Sequence, residues 1–410
     1  MADVSVLNVE LYGKPIGTLT RVSGDRSLFA FNEDYINDPD RPTLGLSFKD
    51  EFGELRTDFR PVQKKIMPFF SNLLPEGHLR KYLAEQAGVN IEREFFLLWA
   101  LGQDLPGAIT VRPADGEAWP PEAADATSED QAETKKNMLR FSLAGVQLKF
   151  SAIESASGGL TIPASGVGGD WIVKLPSREY AGVPENEFSM MSLARMLGMD
   201  VPKIDLVHID SIAGLPDGTD RFGTKVFVIE RFDRLPDGNR VHIEDFAQVF
   251  GVYSEDKYKR ASMRNIATVI AAEGSEEDVR EFFRRLTFNT LISNGDMHLK
   301  NWSLIYPDKK NAALAPAYDF VSTVPYIPGD SFALNYSRAR DFSAYDEDEI
   351  SHLAAKATLP EKMVIDVARE TASDFAALWK REKDALPMLD DVRAAIDALL
   401  PTLPLMKERK

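Results

Sequence analysis

The chain contains no cysteine. Disulfides, thiol nucleophiles and zinc sites built from thiolates are thereby excluded. Histidine is scarce: the five residues, at 78, 208, 242, 298 and 352, form no H-x-H or H-x-x-x-H pair, the usual start of a histidine metal site. Long apolar runs are missing as well. The densest, Phe95–Leu101, has seven residues, far short of the ~18–20 that span a bilayer. Basic residues are outnumbered, 48 against 64 acidic, for a formal net charge of −16. Direct binding to nucleic acid rests on neutralising phosphates and is not expected of such a chain. Met1–Ser5 carry neither a basic n-region nor an apolar h-region, so no secretory signal or membrane partner is expected, and the cytoplasm is the expected location.

What is present is ordinary globular material: 410 residues, 44% hydrophobic and 27% charged, enough for two or three domains with full cores. Residues 4–48 alternate short β-rich runs (Val4–Leu11, Gly17–Val22, Leu28–Phe31, Leu44–Phe48) with turn residues, which predicts a small antiparallel sheet. Residues 67–88 and 91–101 read as helical, and Gly107–Val111 as a strand that closes a first module over 1–112. Residues 113–137 turn acidic and rich in Pro, Ala and Thr, as a linker or long loop does. A second β-rich stretch covers 138–230. From 231 to 410 helical patterns dominate, including Ile243–Gly251, Met263–Glu273 and Glu276–Ile292, where Val279, Phe282, Phe283, Leu286 and Leu291 keep roughly helical spacing. The expected class is α+β and bilobal, with an N-terminal β-rich subdomain and a mainly helical C-terminal lobe.

The most informative segment follows that last helix. In Asn294-Gly295-Asp296-Met297-His298-Leu299-Lys300-Asn301, an Asp precedes an Asn by five positions. A kinase catalytic loop has this spacing: the Asp takes or orients the attacking hydroxyl, and the Asn holds magnesium. Asp319, eighteen residues beyond Asn301, stands where a second metal ligand belongs. Upstream, Lys174 sits on a predicted strand, Trp171–Pro176, and is a candidate for contacting nucleotide phosphates. Its carboxylate partner on the next helix is Glu187 or Glu185, with Glu187 favoured. Ser142, Ala144, Gly145, Val146, Gln147 and Lys149 lie in a run of small residues that could approach phosphates, although by itself the run reads as a hairpin. Val226–Arg234, an apolar strand turning abruptly polar, resembles an inter-lobe hinge. Adenine would meet main-chain groups near Glu230 and Phe232 there. Asp233 either reaches a ribose or acceptor or closes a salt-bridged turn. His298 either binds a metal or, preferably, fixes the loop. Lys300 either neutralises the transferring phosphoryl group or is solvated.

With these pieces together, the chain resembles the HipA family of serine/threonine-kinase toxins from bacterial toxin–antitoxin pairs. The matching segments are Ser142–Ser151, Ile172–Pro176, Glu230–Arg234, His242–Gly251, Asn294–Asn301 and Tyr318–Ser322, with Gly17–Leu19 and Pro68–Gly77 in the N-terminal part. The resemblance implies a kinase-like fold using ATP and Mg2+, with Asp296 as catalytic base, Asn301 and Asp319 as metal ligands and Lys174 on the phosphates. Ser142–Lys149 would be the phosphate loop and Ser142 an autophosphorylation site. The implied substrate is glutamyl-tRNA synthetase or another aminoacyl-tRNA synthetase. The implied partner is a HipB-like helix-turn-helix antitoxin, through which operator DNA would be reached indirectly. Two other readings compete: a small-molecule phosphotransferase of the aminoglycoside-kinase type, and a non-catalytic co-repressor subunit.

Overall fold

The computed structural model describes residues 5–114, 149–154, 160–162, 169–177, 179–215, 221 and 223–407. Within them the class is α+β, with three sheets and a C-terminal set of helices. No helix among the described residues is long and apolar enough to cross a membrane.

The first sheet joins β1 (Ser5–Leu11), β2 (Lys14–Val22), β3 (Arg26–Phe31), β4 (Val62–Gln63) and β5 (Ile109–Pro113) in the antiparallel order β4-β3-β2-β1-β5. Strict alternation along β1 buries Leu7, Val9 and Leu11 on one face, as a one-sided sheet requires. Tyr12 and Gly13, both at positive φ (54° and 73°), make the two-residue turn into β2, whose hand suits strand twist. The covered face packs on Phe48, Phe69, Phe70 and the helix Glu94–Leu101. One expectation fails here. The run Leu44–Phe48 is not a strand; Leu46–Phe48 form a 3-10 turn. The Leu46 N–H donates to the buried Glu244 carboxylate at 2.9 Å instead of to a neighbouring strand.

The second sheet joins β6 (Lys149–Glu154), β7 (Leu160–Thr161), β8 (Trp171–Lys174), β9 (Ile204–His208), β10 (Ile212–Ala213) and β11 (Lys225–Glu230) in the order β10-β7-β6-β8-β11-β9. The helix Val183–Met196 packs on it, its Met190, Leu193 and Ala194 sharing a core with Phe227 and Ile229 of β11. That core continues into the helices Met263–Glu273, Glu276–Leu291, Glu347–Lys356, Glu361–Glu382 and Asp390–Leu399.

A third sheet, β12 (His242–Asp245), β13 (Ser303–Tyr306) and β14 (Ala313–Leu314), was not expected. The pattern Ile243–Gly251 predicts a helix, yet the chain stays extended through Asp245 and then makes a single turn, Phe246–Val249. Asp245 starts that turn through a capping box with Gln248, and the polar side chains of His242 and Glu244 are wholly buried on one face of β12.

Candidate active site

The helix Glu276–Leu291 is started by Ser275 and Asp278 in a capping box, and it ends where Ser293 takes a left-handed conformation at φ 58°. The loop that follows is held by its own polar side chains. The Asn294 amide donates to Asn289 Oδ1 at 2.9 Å and to the Asp319 carbonyl at 3.2 Å, and its Oδ1 accepts from the Asp296 N–H at 3.0 Å. Gly295 is required by close approach: a Cβ there would lie 2.1 Å from Asp330 Oδ2. The Asn301 amide nitrogen donates to the Asp296 carbonyl at 2.8 Å. That leaves its carbonyl oxygen, the one atom of the amide able to ligate a hard cation.

Asp319 sits at φ 58°, an uncommon conformation for a residue with a side chain. Its carboxylate contacts Lys174 and lies 3.1 Å from Lys149. Lys174 also contacts Glu187. Lys149 and Lys174 are register partners across β6 and β8. Like charges directly opposite one another destabilise a strand pair, so this placement makes sense only where anions gather. Burial works against the Lys174 charge, but Asp319 and Glu187 outweigh it and hold the ammonium above its ordinary range. Burial pushes the Asp319 carboxyl up, and Lys149 and Lys174 more than offset this, holding it far below the carboxylate range. Glu187 is raised by burial; Lys174 pulls it down, and the Asp319 charge adds to the rise. Asp319 is therefore ionised at any working pH. Together with the Asn301 carbonyl it offers the oxygen donors that suit magnesium. Asp296 stands apart, with its side chain half exposed.

Comparison with known proteins identifies the family. A profile of the HipA-like C-terminal domain matches residues 141–379, and one of the HipA N-terminal domain matches residues 7–112. The chain belongs to the HipA family. It is 58% identical over 411 residues to the protein named "Putative kinase Y4dM" of Sinorhizobium fredii, covering 100% of this chain and 99% of that one. It is 29% identical over 300 residues to the serine/threonine-protein kinase toxin HipA of Shewanella oneidensis, covering 65% of each. Among solved structures, the Shewanella oneidensis HipA in a complex with HipB and operator DNA matches with a TM-score of 0.71 at 24% identity, covering 98% of this chain and 96% of that one. That likeness fixes the fold.

Of the residues singled out in the sequence, the structure brings Lys149, Lys174, Glu187 and Asp319 into one cluster. It ties that cluster to the Asp296–Asn301 loop through Asn294. Glu187, not Glu185, meets Lys174. Ser142, Ala144, Gly145, Val146 and Gln147 lie outside the described residues. In the segment Val226–Arg234, the N–H groups of Glu230 and Arg231 are bonded to the carbonyls of Lys203 and Asp170, while the Phe232 ring stands 5.9 Å from that of Tyr318. His298 Nδ1 accepts from the Lys300 N–H at 3.2 Å, and burial lowers its imidazole to about 4. It is a neutral, loop-fixing group.

One open alternative is decided, in favour of the salt-bridged turn at Asp233, and one expectation, for Lys300, is corrected. Asp233 does not face a ribose: both its oxygens are taken by Arg231, Arg234 and the Gly107 N–H, the last at 2.7 Å. Lys300 is not solvated and does not face a phosphoryl group, because its ammonium binds the Asn72 carbonyl at 2.9 Å and Glu76 at 2.8 Å in the N-terminal module.

Three residues at or near the site were not singled out as site residues in the sequence, although Glu76 lies in the matching segment Pro68–Gly77. Asn186, wholly buried, pairs with both main-chain groups of Ser322 at 2.9 and 3.1 Å. It thereby fastens the helix of Glu187 to the segment of Asp319. Glu76 joins Lys257 and Lys300. The Tyr258 hydroxyl donates to Asp296.

Proposed function

We propose that this HipA-family chain is an ATP- and magnesium-dependent serine/threonine protein kinase acting as the toxin of a toxin–antitoxin pair. One observation carries the reading: Lys174, Glu187 and Asp319 converge in a buried ion cluster beside a loop that offers Asp296 and Asn301. Phosphoryl transfer asks a protein for positioning and charge more than for covalent chemistry. Asp296 would accept the proton of the attacking hydroxyl. Lys174 and Lys149 would turn from Asp319 to the nucleotide phosphates. Asn301 and Asp319 would hold magnesium, which when bound draws charge from the phosphates. Adenine would meet the main chain near Glu230 and Phe232.

The acceptor class is a translation protein, with glutamyl-tRNA synthetase or another aminoacyl-tRNA synthetase as the target, so that phosphorylation stops growth. Ser142 would be the self-phosphorylation site; a phosphate adds about −1.5 to −2 charges beside nucleotide phosphates and so would expel its loop. A HipB-like helix-turn-helix antitoxin would be the partner. A chain of net charge −16 would reach operator DNA only through it.

Asp296→Ala and Asp319→Ala should each lower self-phosphorylation by ~10²–10⁴-fold, the usual worth of a positioned base or charge, and should relieve growth arrest on induced expression while the protein stays folded. Variants as toxic as the parent would refute the mechanism. Ser142→Ala should remove the major phosphorylated peptide seen by mass spectrometry after incubation with Mg-ATP. An unchanged phosphopeptide map would refute the assignment of Ser142.

A further inference from the structure

Tyr258 belongs to none of the motifs above, yet its hydroxyl donates a hydrogen bond to Asp296 Oδ1. It lies in the loop between the turn Phe246–Val249 and the helix Met263–Glu273. The backbone of that loop is fastened next to it. The Lys257 carbonyl accepts from the Leu299 N–H at 3.4 Å, and the Lys257 ammonium pairs with Glu76 at 2.7 Å. Tyr258 as a residue is 41% exposed, and its ring meets the His298 ring edge-on at 4.9 Å. A fixed backbone thus carries a side chain that rotation about its own bonds can swing outward. Burial, then the charge of Asp296 and the hydrogen bond to it, push the phenol well above its ordinary value, so it remains a protonated donor.

A hydroxyl that donates to the base carboxylate stands as an acceptor must stand before transfer, since a serine or threonine has to offer its proton to that same group. We propose that Tyr258 occupies the acceptor-hydroxyl subsite of the free protein and caps Asp296 against water until an acceptor displaces it. The inference rests on Asp296 being the base of the reaction proposed above. The reaction suppressed is hydrolysis of Mg-ATP. In it the oxygen of water bonds to the γ-phosphorus, its proton passes to Asp296, the bond from that phosphorus to the β–γ bridging oxygen breaks, and ADP and inorganic phosphate leave.

The test uses the full chain and Mg-ATP without any acceptor, with ADP release as the readout. Tyr258→Phe keeps the ring and removes the hydrogen bond, and Tyr258→Ala also removes the bulk. ADP release should rise about tenfold in Tyr258→Phe, in keeping with one hydrogen bond to a charged group, and further in Tyr258→Ala. A second readout needs no nucleotide: nitration of Tyr258 by tetranitromethane, followed by mass spectrometry, should run faster in Asp296→Ala than in the parent. ADP release unchanged or lowered in both Tyr258 variants, nitration unchanged by Asp296→Ala, or phosphate found on Tyr258 itself would each overturn the cap. Self-phosphorylation of the parent on the same samples separates the two possible failures. If the parent transfers phosphate and the variants hydrolyse no faster, the cap alone is wrong. If no protein transfers phosphate to anything, the kinase reading fails and the cap with it.

Discussion

Two ion clusters in this protein contain the same charges in opposite settings. Asp104, Arg231, Asp233 and Arg234 form one; Lys149, Lys174, Glu187 and Asp319 form the other. Each has two cations and two anions. In the first, planar guanidinium forks grip both carboxylates at 2.8–3.1 Å, and the Gly107 N–H completes Asp233. Burial pushes Asp233 up, but Arg231 and Arg234 outweigh it and keep it ionised. Such a set is closed and joins the N-terminal module to the end of β11. In the second, the cations are ammonium groups on flexible stems. They sit side by side on adjacent strands and share one carboxylate, and the Lys149 side chain is 46% exposed. Lysines in that arrangement can exchange partners, as the proposed phosphate contacts require. On the proposed function, the choice between arginine and lysine separates a strut from a site that must open to phosphates.

Substitution can break this comparison. Lys174→Met should cut phosphoryl transfer by about 10²–10³-fold while costing only about 1–2 kcal/mol of stability. The cost is small because Glu187, already raised by burial, takes up a proton, and Asp319 keeps Lys149. Arg231→Met leaves two buried carboxylates, Asp104 and Asp233, to share Arg234 alone and should cost about 3–5 kcal/mol, with transfer per folded molecule close to the parent's. Urea midpoints at neutral pH and ADP release from the same preparations read both. Equal stability losses would mean that the two clusters are the same kind of object.

How much of this was legible in the sequence depends on how far apart the partners lie. Asp296, Asn301 and Asp319 stand within one stretch whose spacing is itself the signal. The preference for Glu187 over Glu185 also has a basis in pattern. Residues three and four beyond Glu187 are Met190 and Met191, both buried, so it shares the core face of its helix. Asp233 was undecided because its closing partners, Asp104 and Gly107, come from another module; the Gly107 bond spans 126 residues. The third sheet was missed for a related reason: β12 has little pattern of its own and is extended because it pairs with Ser303–Tyr306. Tyr258 reaches Asp296 across 38 residues from a loop with no periodicity. Such contacts are tertiary, and local sequence does not encode them.

Glu244 sharpens the comparison from a third side, as a buried carboxyl with no cation partner among the described residues. Its Oε1 accepts from the Leu46 N–H at 2.9 Å and from the Tyr306 hydroxyl, while Oε2 has no hydrogen-bond partner. Burial pushes the group up to about 8, against those two donors. The sign of the linkage follows. A carboxyl raised above its unfolded value of about 4.3 contributes stability that is complete below that value and is lost as pH rises through about 8. Glu244→Gln keeps the shape and removes the proton. Between about pH 5 and about pH 8 the parent should therefore lose a few kcal/mol relative to Glu244→Gln, read from urea midpoints at the two pH values. His242, lowered to about 4 by burial, and Asp245, raised to about 6 by burial, are present in both proteins, so the difference reports Glu244 together with its charge coupling to Asp245. Parallel slopes would mean that the folded protein carries Glu244 ionised. Burial without a cation would then not be what distinguishes this carboxyl from Asp233 and Asp319, and the contrast would rest on the cations alone.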